Sequence, residues 1–166
     1  GELSANLLLD RIMGCTVYLV QPDGDASDAE LEERAVRETM QGYEAQGDVP
    51  FFIPLGGSSE VGILGYAECA VETAGQAEMQ GIKQPRLFAA VGSLGTYMGL
   101  FIGAKDIDAP MRITGIAITP SLGPDVQERA KRYFDRCREV LEIPWTAEKD
   151  EFDLINDYHL DDYNNP

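Results

Sequence analysis

The sequence predicts an α/β fold of three layers, a mostly parallel sheet with helices on both faces. Three observations lead there. Short runs rich in β-branched and aromatic residues alternate with longer stretches of helical periodicity along the whole chain. Gly, Pro, Asn, Asp or Ser stands at nearly every change of pattern. One apolar run, Leu87-Phe88-Ala89-Ala90-Val91, passes through a Gly/Ser/Thr bend into a second one beginning at Leu100. That strand–turn–helix order belongs to a crossover between parallel strands.

The elements follow in chain order. Ser4 or Asn6 caps a short helix over residues 7–13, which Gly14 ends. Thr16-Val17-Tyr18-Leu19-Val20 has strand composition, and Pro22-Asp23-Gly24-Asp25 is a turn. Ser27-Asp28-Ala29-Glu30 is a capping box. It opens a helix to about Ala45 with Leu31, Ala35, Val36, Met40 and Tyr43 on one side. Gly47-Asp48-Val49-Pro50 breaks that helix, and Phe51-Phe52-Ile53 reads as a short strand.

Gly56-Gly57-Ser58-Ser59 precedes a helix from Glu60 to about Gln80. Gly62 and Gly65 lie early in it at a cost in helix propensity, which points to close approach to a sheet or ligand. After the strand at 87–91 and its bend, a helix runs from about Tyr97 to Lys105, and 112–118 is a further strand. Gly123-Pro124 starts a helix with Pro in its first turn. Its apolar stripe is Val126, Ala130, Tyr133, Phe134, Cys137, Val140 and Leu141. Phe152-Asp153-Leu154-Ile155 is a last strand.

The 166 residues suit one domain or parts of two. With 13 Lys and Arg against 29 Asp and Glu, the net charge of −16 argues against a nucleic-acid track or an anionic membrane surface. The acidic clusters read as solvated faces and loops. Cys15, Cys69 and Cys137 are odd in number and widely spaced, so reduced thiols in a cytoplasmic protein are expected, with Cys69 and Cys137 as small core residues. No metal site is expected: Asp157, Asp161 and Asp162 lack the spacing of a ligand loop. No apolar run is long enough to span a bilayer.

The bend Gly92-Ser93-Leu94-Gly95-Thr96 carries the chemistry. A strand entering a helix through small residues leaves the leading helix amides without partners and places the positive end of the helix dipole there. Gly92 and Gly95 let an anion approach those amides, and Ser93 and Thr96 bring hydroxyl donors. No Gly-Lys-Ser/Thr follows, so it is not a P-loop, and it lacks the dinucleotide fingerprint. On the residues alone, an equal reading is a tight turn whose glycines only permit packing.

Four stretches, in order and covering nearly the whole chain, resemble one family. Asn6-Leu7-Leu8-Leu9-Asp10-Arg11-Ile12-Met13-Gly14 resembles the asparagine–leucine segment of the D-cysteine desulfhydrase and 1-aminocyclopropane-1-carboxylate deaminase family. Gly56-Gly57-Ser58-Ser59 with Leu64-Gly65-Tyr66 is similar to its Gly-Gly-Ser-Asn…Leu-Gly-Tyr stretch. Residues 92–96 with Gly99-Leu100 match its phosphate loop, and 161–166 resemble the approach to its Gly-Tyr-Gly. Ser59 stands where the family often has Asn, and Asn164 and Asn165 replace small or apolar residues, which leaves the substrate open.

The resemblance implies a two-domain enzyme of fold type II dependent on pyridoxal 5′-phosphate. Residues 1–54 would be the C-terminal part of the smaller domain, and 55–166 part of the larger, cofactor-binding one. Gly92, Ser93, Leu94, Gly95 and Thr96 would hold the cofactor phosphate, and Tyr163 would line the substrate cleft. The implied reaction converts a small amino acid to a 2-oxo acid and ammonia. A piece of such a fold exposes apolar surface that missing elements would cover, so a homodimer, or association with the missing parts of the parent chain, is expected. The alternative function is a non-catalytic α/β domain for a phosphorylated metabolite or a nucleotide.

The family's cofactor lysine lies in a Gly-Gly-Asn-Lys context that does not occur here. Lys83, Lys105, Lys131 and Lys149 are expected on solvated surface, so no catalytic residue is assigned within the chain. The expected lysine and the glycine-flanked tyrosine would lie outside it, which makes the chain an internal, by itself inactive, fragment. His159 is expected as an exposed loop residue and Trp145 as packing under a loop.

Overall fold

The computed structural model describes residues 5–21, 23–24, 26–119 and 123–158. The chain divides into two compact units that part between Phe52 and Ile53.

In the first unit, helix α1 (Ala5–Ile12) closes at Gly14, whose φ of +85° is the left-handed stop that glycine supplies. Helix α2 (Asp28–Glu44) begins at the predicted box. The Ser27 backbone N–H donates to Glu30 Oε2 at 2.9 Å, and the Glu30 N–H donates to Ser27 Oγ at 3.4 Å. Of its expected stripe, Leu31 is buried, Ala35, Val36 and Met40 are half-buried and Tyr43 is exposed.

The strands expected at 16–20 and 51–53 do not form. Strand composition records a preference for a pleated, half-buried surface, and realising it takes a neighbour to share the ladder. Among the described residues no strand lies alongside either run, and Tyr18, Leu19, Val20, Phe51 and Ile53 are exposed.

The second unit contains a parallel sheet. Strand β1 (Arg86–Val91) pairs with β2 (Arg112–Ala117) from Arg86↔Arg112 to Val91↔Ala117. Strand β3 (Leu154–Ile155) joins β2 on its other side. The last strand is shorter than expected because Phe152 and Asp153 precede the ladder, the Asp153 carbonyl accepting the Gly115 N–H at 2.8 Å. Period-two alternation is clear on β1: Ala89 and Val91 are buried while Phe88 and Ala90 are exposed.

Helix α3 (Leu64–Met79) starts four residues later than predicted, because residues 60–63 stay in turns. Gly62 causes this. Its N–H donates to Ser59 Oγ at 3.0 Å, and a Cβ there would run into the Gly57 carbonyl. The close approach expected of Gly62 is thus to its own turn, and Gly65 borders open space.

Helix α4 (Gly95–Asp106) lies on both α3 and the sheet. A Cβ on Gly99 would fall 2.6 Å from Tyr66 Cβ, and one on Gly103 would fall 2.7 Å from Ala67 Cα. These two glycines let α3 and α4 touch backbone to backbone.

Helix α5 (Val126–Val140) buries Val126, Ala130, Tyr133, Phe134 and Cys137 as its spacing requires. Pro124 sits just before the helix rather than inside its first turn, and Val140 is exposed at the helix end. Cys69 is half-buried against the core and Cys15 is exposed. Trp145 stacks on Phe134 at 5.2 Å, the packing role expected of it, and Phe152 joins the same cluster. The class the sequence predicts, α/β with a parallel sheet, is the class observed.

Candidate functional site

The chain leaves β1 at Val91, beside Ala117 at the same end of β2. Gly92, Ser93 and Leu94 make the bend and α4 begins at Gly95, so the bend lies beyond the carboxyl ends of parallel strands. Leu94 turns the chain with φ 70° and ψ −14° and is itself buried. No side chain caps this helix start. The leading amides of α4 and the dipole behind them therefore meet the bend without an internal acceptor.

Access is graded along the loop. Ser93 is exposed, Gly92 and Thr96 are half-buried, and Leu94, Gly95 and Tyr97 are buried. A Cβ built on Gly92 meets nothing within 4 Å, which is open space beside the backbone. A Cβ on Gly95 would collide with Ser58 Oγ, so that glycine serves the turn at 58 as well as the loop. Ser58 and Ser93 meet hydroxyl to hydroxyl at 2.6 Å. Donors, room and field at 92–96 all fit a phosphate monoester.

The Ser59 carbonyl accepts the Tyr133 hydroxyl at 3.1 Å, tying the turn to α5. Burial pushes that phenol up to about 12. Glu60 is held below the usual carboxylate range by a backbone hydrogen bond and then by Arg136, whose Nε donates to it at 2.9 Å.

Sequence reasoning missed this α5 face. Arg129, Arg132 and Arg136 wall a cavity together with Ser58, Ser93 and Tyr133. The signal was present as a second, cationic periodicity at i, i+3 and i+7 beside the apolar stripe.

Lys83 and Lys149 are exposed as expected, but two other lysines are less solvated than predicted. Lys105 pairs with Glu151 and lies over the Phe101 and Trp145 rings, in the last turn of α4 and so at the far end from the bend. Lys131 is held by Asp135 at 2.7 Å. Four identical-sign groups expected on open surface thus divide into two free-standing and two engaged ones. His159, Asp161, Asp162, Tyr163 and the stretch 161–166 lie outside the described residues. No helix among the described residues is long and apolar enough to cross a membrane.

Known proteins bear on the same region. A family model described as pyridoxal-phosphate dependent enzyme matches residues 2–163. A Pyrococcus abyssi protein provisionally named 1-aminocyclopropane-1-carboxylate deaminase is 33% identical over 141 residues, covering 85% of this chain and 41% of its own. A D-cysteine desulfhydrase from Salmonella paratyphi C is 34% identical over 141 residues, 84% of this chain and 39% of its own. A crystal structure of an ACC deaminase homologue superposes with a TM-score of 0.66 at 29% identity, over 93% of this chain and 44% of that one. The chain thus spans about two fifths of the length of these relatives.

Proposed function

The chain belongs to the pyridoxal-phosphate-dependent enzymes, and from that premise we propose that it is the phosphate-gripping part of a lyase or deaminase acting on a small amino acid, yielding a 2-oxo acid and ammonia. The reaction type follows the relatives named D-cysteine desulfhydrase and ACC deaminase homologue. The observation that carries the reading is the uncapped start of α4 beside the open Gly92. The comparisons lend no support to a nucleotide- or metabolite-binding domain without catalysis.

In this reading the amides of residues 92–96 and the Thr96 hydroxyl hold the cofactor phosphate. Leu94 contributes backbone alone, its side chain being buried. When bound, the cofactor supplies an electron sink for the bond broken beside the substrate amine. The residues here would hold its phosphate end. Residues 1–54 form part of the smaller domain and 55–166 part of the larger, a division supported by the parting of the two units between Phe52 and Ile53. By its resemblance to the family, Tyr163 is the candidate for the substrate cleft. The protein works in the cytoplasm, as homodimer or joined to further parts of a longer chain. The open face of β1 at Phe88, 62% exposed, supports such association.

None of the four lysines is assigned to the cofactor. The 166 residues then bind it reversibly and turn nothing over. Isothermal titration with pyridoxal 5′-phosphate tests the grip, and borohydride reduction with peptide mapping tests the attachment. We expect saturable binding, no reduced lysine peptide, and loss of binding in Gly92→Asp. That variant has room for its side chain but sets a carboxylate where the phosphate would lie. Equal affinity in Gly92→Asp would reject the site, and a cofactor-bearing peptide containing Lys83, Lys105, Lys131 or Lys149 would reject the lysine assignment.

A further inference from the structure

Ser93 is the exposed residue of the phosphate bend, and its hydroxyl meets that of Ser58, 35 positions upstream, at 2.6 Å. The Ser58 side of this contact is braced. Gly56 and Gly57 turn the chain with φ of 73° and 63°, two left-handed steps that glycine takes without strain. The Gly57 N–H donates to the Pro54 carbonyl at 2.8 Å, and the Ser59 N–H donates to the Gly57 carbonyl at 2.9 Å. Ser59 then holds the turn on both flanks. Its Oγ accepts the Gly62 N–H at 3.0 Å, and its carbonyl accepts the Tyr133 hydroxyl at 3.1 Å.

Ser58 is half-buried in this turn and stands over the first residue of α4. A Cβ on Gly95 would collide with its Oγ and lie 3.1 Å from its Cβ. On the other side, a Cβ on Gly56 would press on Ser93 Oγ at 2.9 Å. The hydroxyl pair thus occupies space that two glycines leave open, one in each loop.

Two hydroxyls carry two protons, and their mutual bond uses one. Whichever oxygen accepts that bond keeps its own proton for a third group. A phosphate dianion can only accept. With Ser93 exposed in the bend and Ser58 set back in the braced turn, the order that serves an anion runs from Ser58 Oγ–H to Ser93 Oγ, and from Ser93 Oγ–H to the anion. Donation into Ser93 selects one rotamer of its hydroxyl and polarises its O–H bond, because hydrogen bonds in a chain strengthen one another.

We propose that Ser58 is a positioning residue of the phosphate grip, acting through Ser93 to turn that hydroxyl toward the cofactor phosphate as a donor beside the loop amides. The proposal rests on residues 92–96 being the cofactor loop, and it adds to that loop one side-chain donor and the upstream turn that aims it.

The test is calorimetric titration of the 166-residue chain with pyridoxal 5′-phosphate in the parent, Ser58→Ala, Ser93→Ala and the double variant. Phosphorus NMR of the bound ester gives a second readout. Ser93→Ala should weaken binding about tenfold, the usual worth of one hydrogen bond to a charged group. Ser58→Ala should weaken it about threefold, the cost of ordering a freed hydroxyl side chain. The double variant should lose no more than Ser93→Ala alone, because Ser58 acts only through Ser93. The phosphorus resonance should move in the same direction in both single variants. Ser58→Thr, which keeps a hydroxyl on the same carbon, should bind like the parent. Undiminished affinity in Ser58→Ala, or losses that simply add in the double variant, would overturn the proposal while leaving the cofactor loop in place. No binding by the parent, or binding that survives Gly92→Asp, would instead reject the loop itself and the proposal with it. If Ser58→Ala does not fold, Ser58→Cys, a weak donor of similar shape, takes its place under the same criteria.

Discussion

Ser58 Oγ and Ser93 Oγ lie 2.6 Å apart, joining the turn before α3 to the bend that leads into α4. Two glycines make room for the pair. A Cβ on Gly56 would stand 2.9 Å from Ser93 Oγ, and one on Gly95 would collide with Ser58 Oγ. The loop therefore gets its shape partly from a residue far upstream in the chain.

This gives the first prediction. Gly95→Ala should destabilise the chain by about 1–3 kcal/mol, the usual cost of forcing atoms into a filled site. Adding Ser58→Gly removes the obstructing hydroxymethyl, so the double variant should recover most of that loss. Urea midpoints of the four species in the cycle measure it. Simple additivity would show that the contact does not govern the loop.

Helix contact predicts a harsher effect at Gly103. Its Cβ would fall 2.7 Å from Ala67 Cα, against backbone that has no rotamer to yield. Gly103→Ala should cost about 3 kcal/mol or more, although alanine raises helix propensity by about 1 kcal/mol. Gly65→Ala, in α3 and facing open space, should be neutral or stabilising. A thermal scan of both variants separates packing from propensity, because the two expectations have opposite signs.

Features written within a few residues were legible in the sequence. The Ser27–Glu30 box, the stop at Gly14 and the α5 stripe each depend on neighbours three or four positions away. The strand–bend–helix order at 87–97 was legible for the same reason. What failed depends on partners. Val17 and Tyr18 have strand character whether or not a second strand lies beside them. The hydroxyl pair of Ser58 and Ser93 joins residues of which neither predicts the other. The arginines of α5 were written in a readable spacing, but the apolar stripe of the same helix already accounted for its fold, and the arginine face was given no role. Gly99 and Gly103 were hidden because a glycine in a helix signals a cost without naming what it approaches.

Acid should weaken the edge of the sheet. Asp153 is held below the usual carboxylate range mainly by Arg112, whose Nε donates to Oδ2 at 2.7 Å. Burial opposes that shift, and the Thr114 hydroxyl, at 2.6 Å, assists it. In the unfolded chain the group returns to about 3.9. A depressed native value means that its contribution is present above the unfolded value and fades as the pH falls through the native one. Asp153→Asn should therefore lower the urea midpoint at pH 6 and much less at pH 3. Glu60 and Glu151 are shifted the same way, so some acid slope should survive in the variant. Parallel pH curves for parent and Asp153→Asn would refute the assignment.

Leu94 offers the sharpest test of how the anion loop is held. Its φ of 70° is a conformation that side chains enter at a cost of about 1 kcal/mol, yet the residue is only 5% exposed and packs in the core. Burial of the leucine offsets the strain of the turn. Leu94→Ala removes the packing and keeps the strain, so it should cost about 3 kcal/mol. Leu94→Gly removes both and should be about 1 kcal/mol less damaging than alanine, the reverse of their order in a helix interior. Denaturation curves decide the order. Since Leu94 gives the loop only its backbone, the glycine variant should also bind pyridoxal 5′-phosphate with affinity near the parent's at a temperature where both are folded. A large loss of binding in Leu94→Gly would mean that the side chain, by stiffening the bend, keeps the leading amides of α4 aimed at the anion.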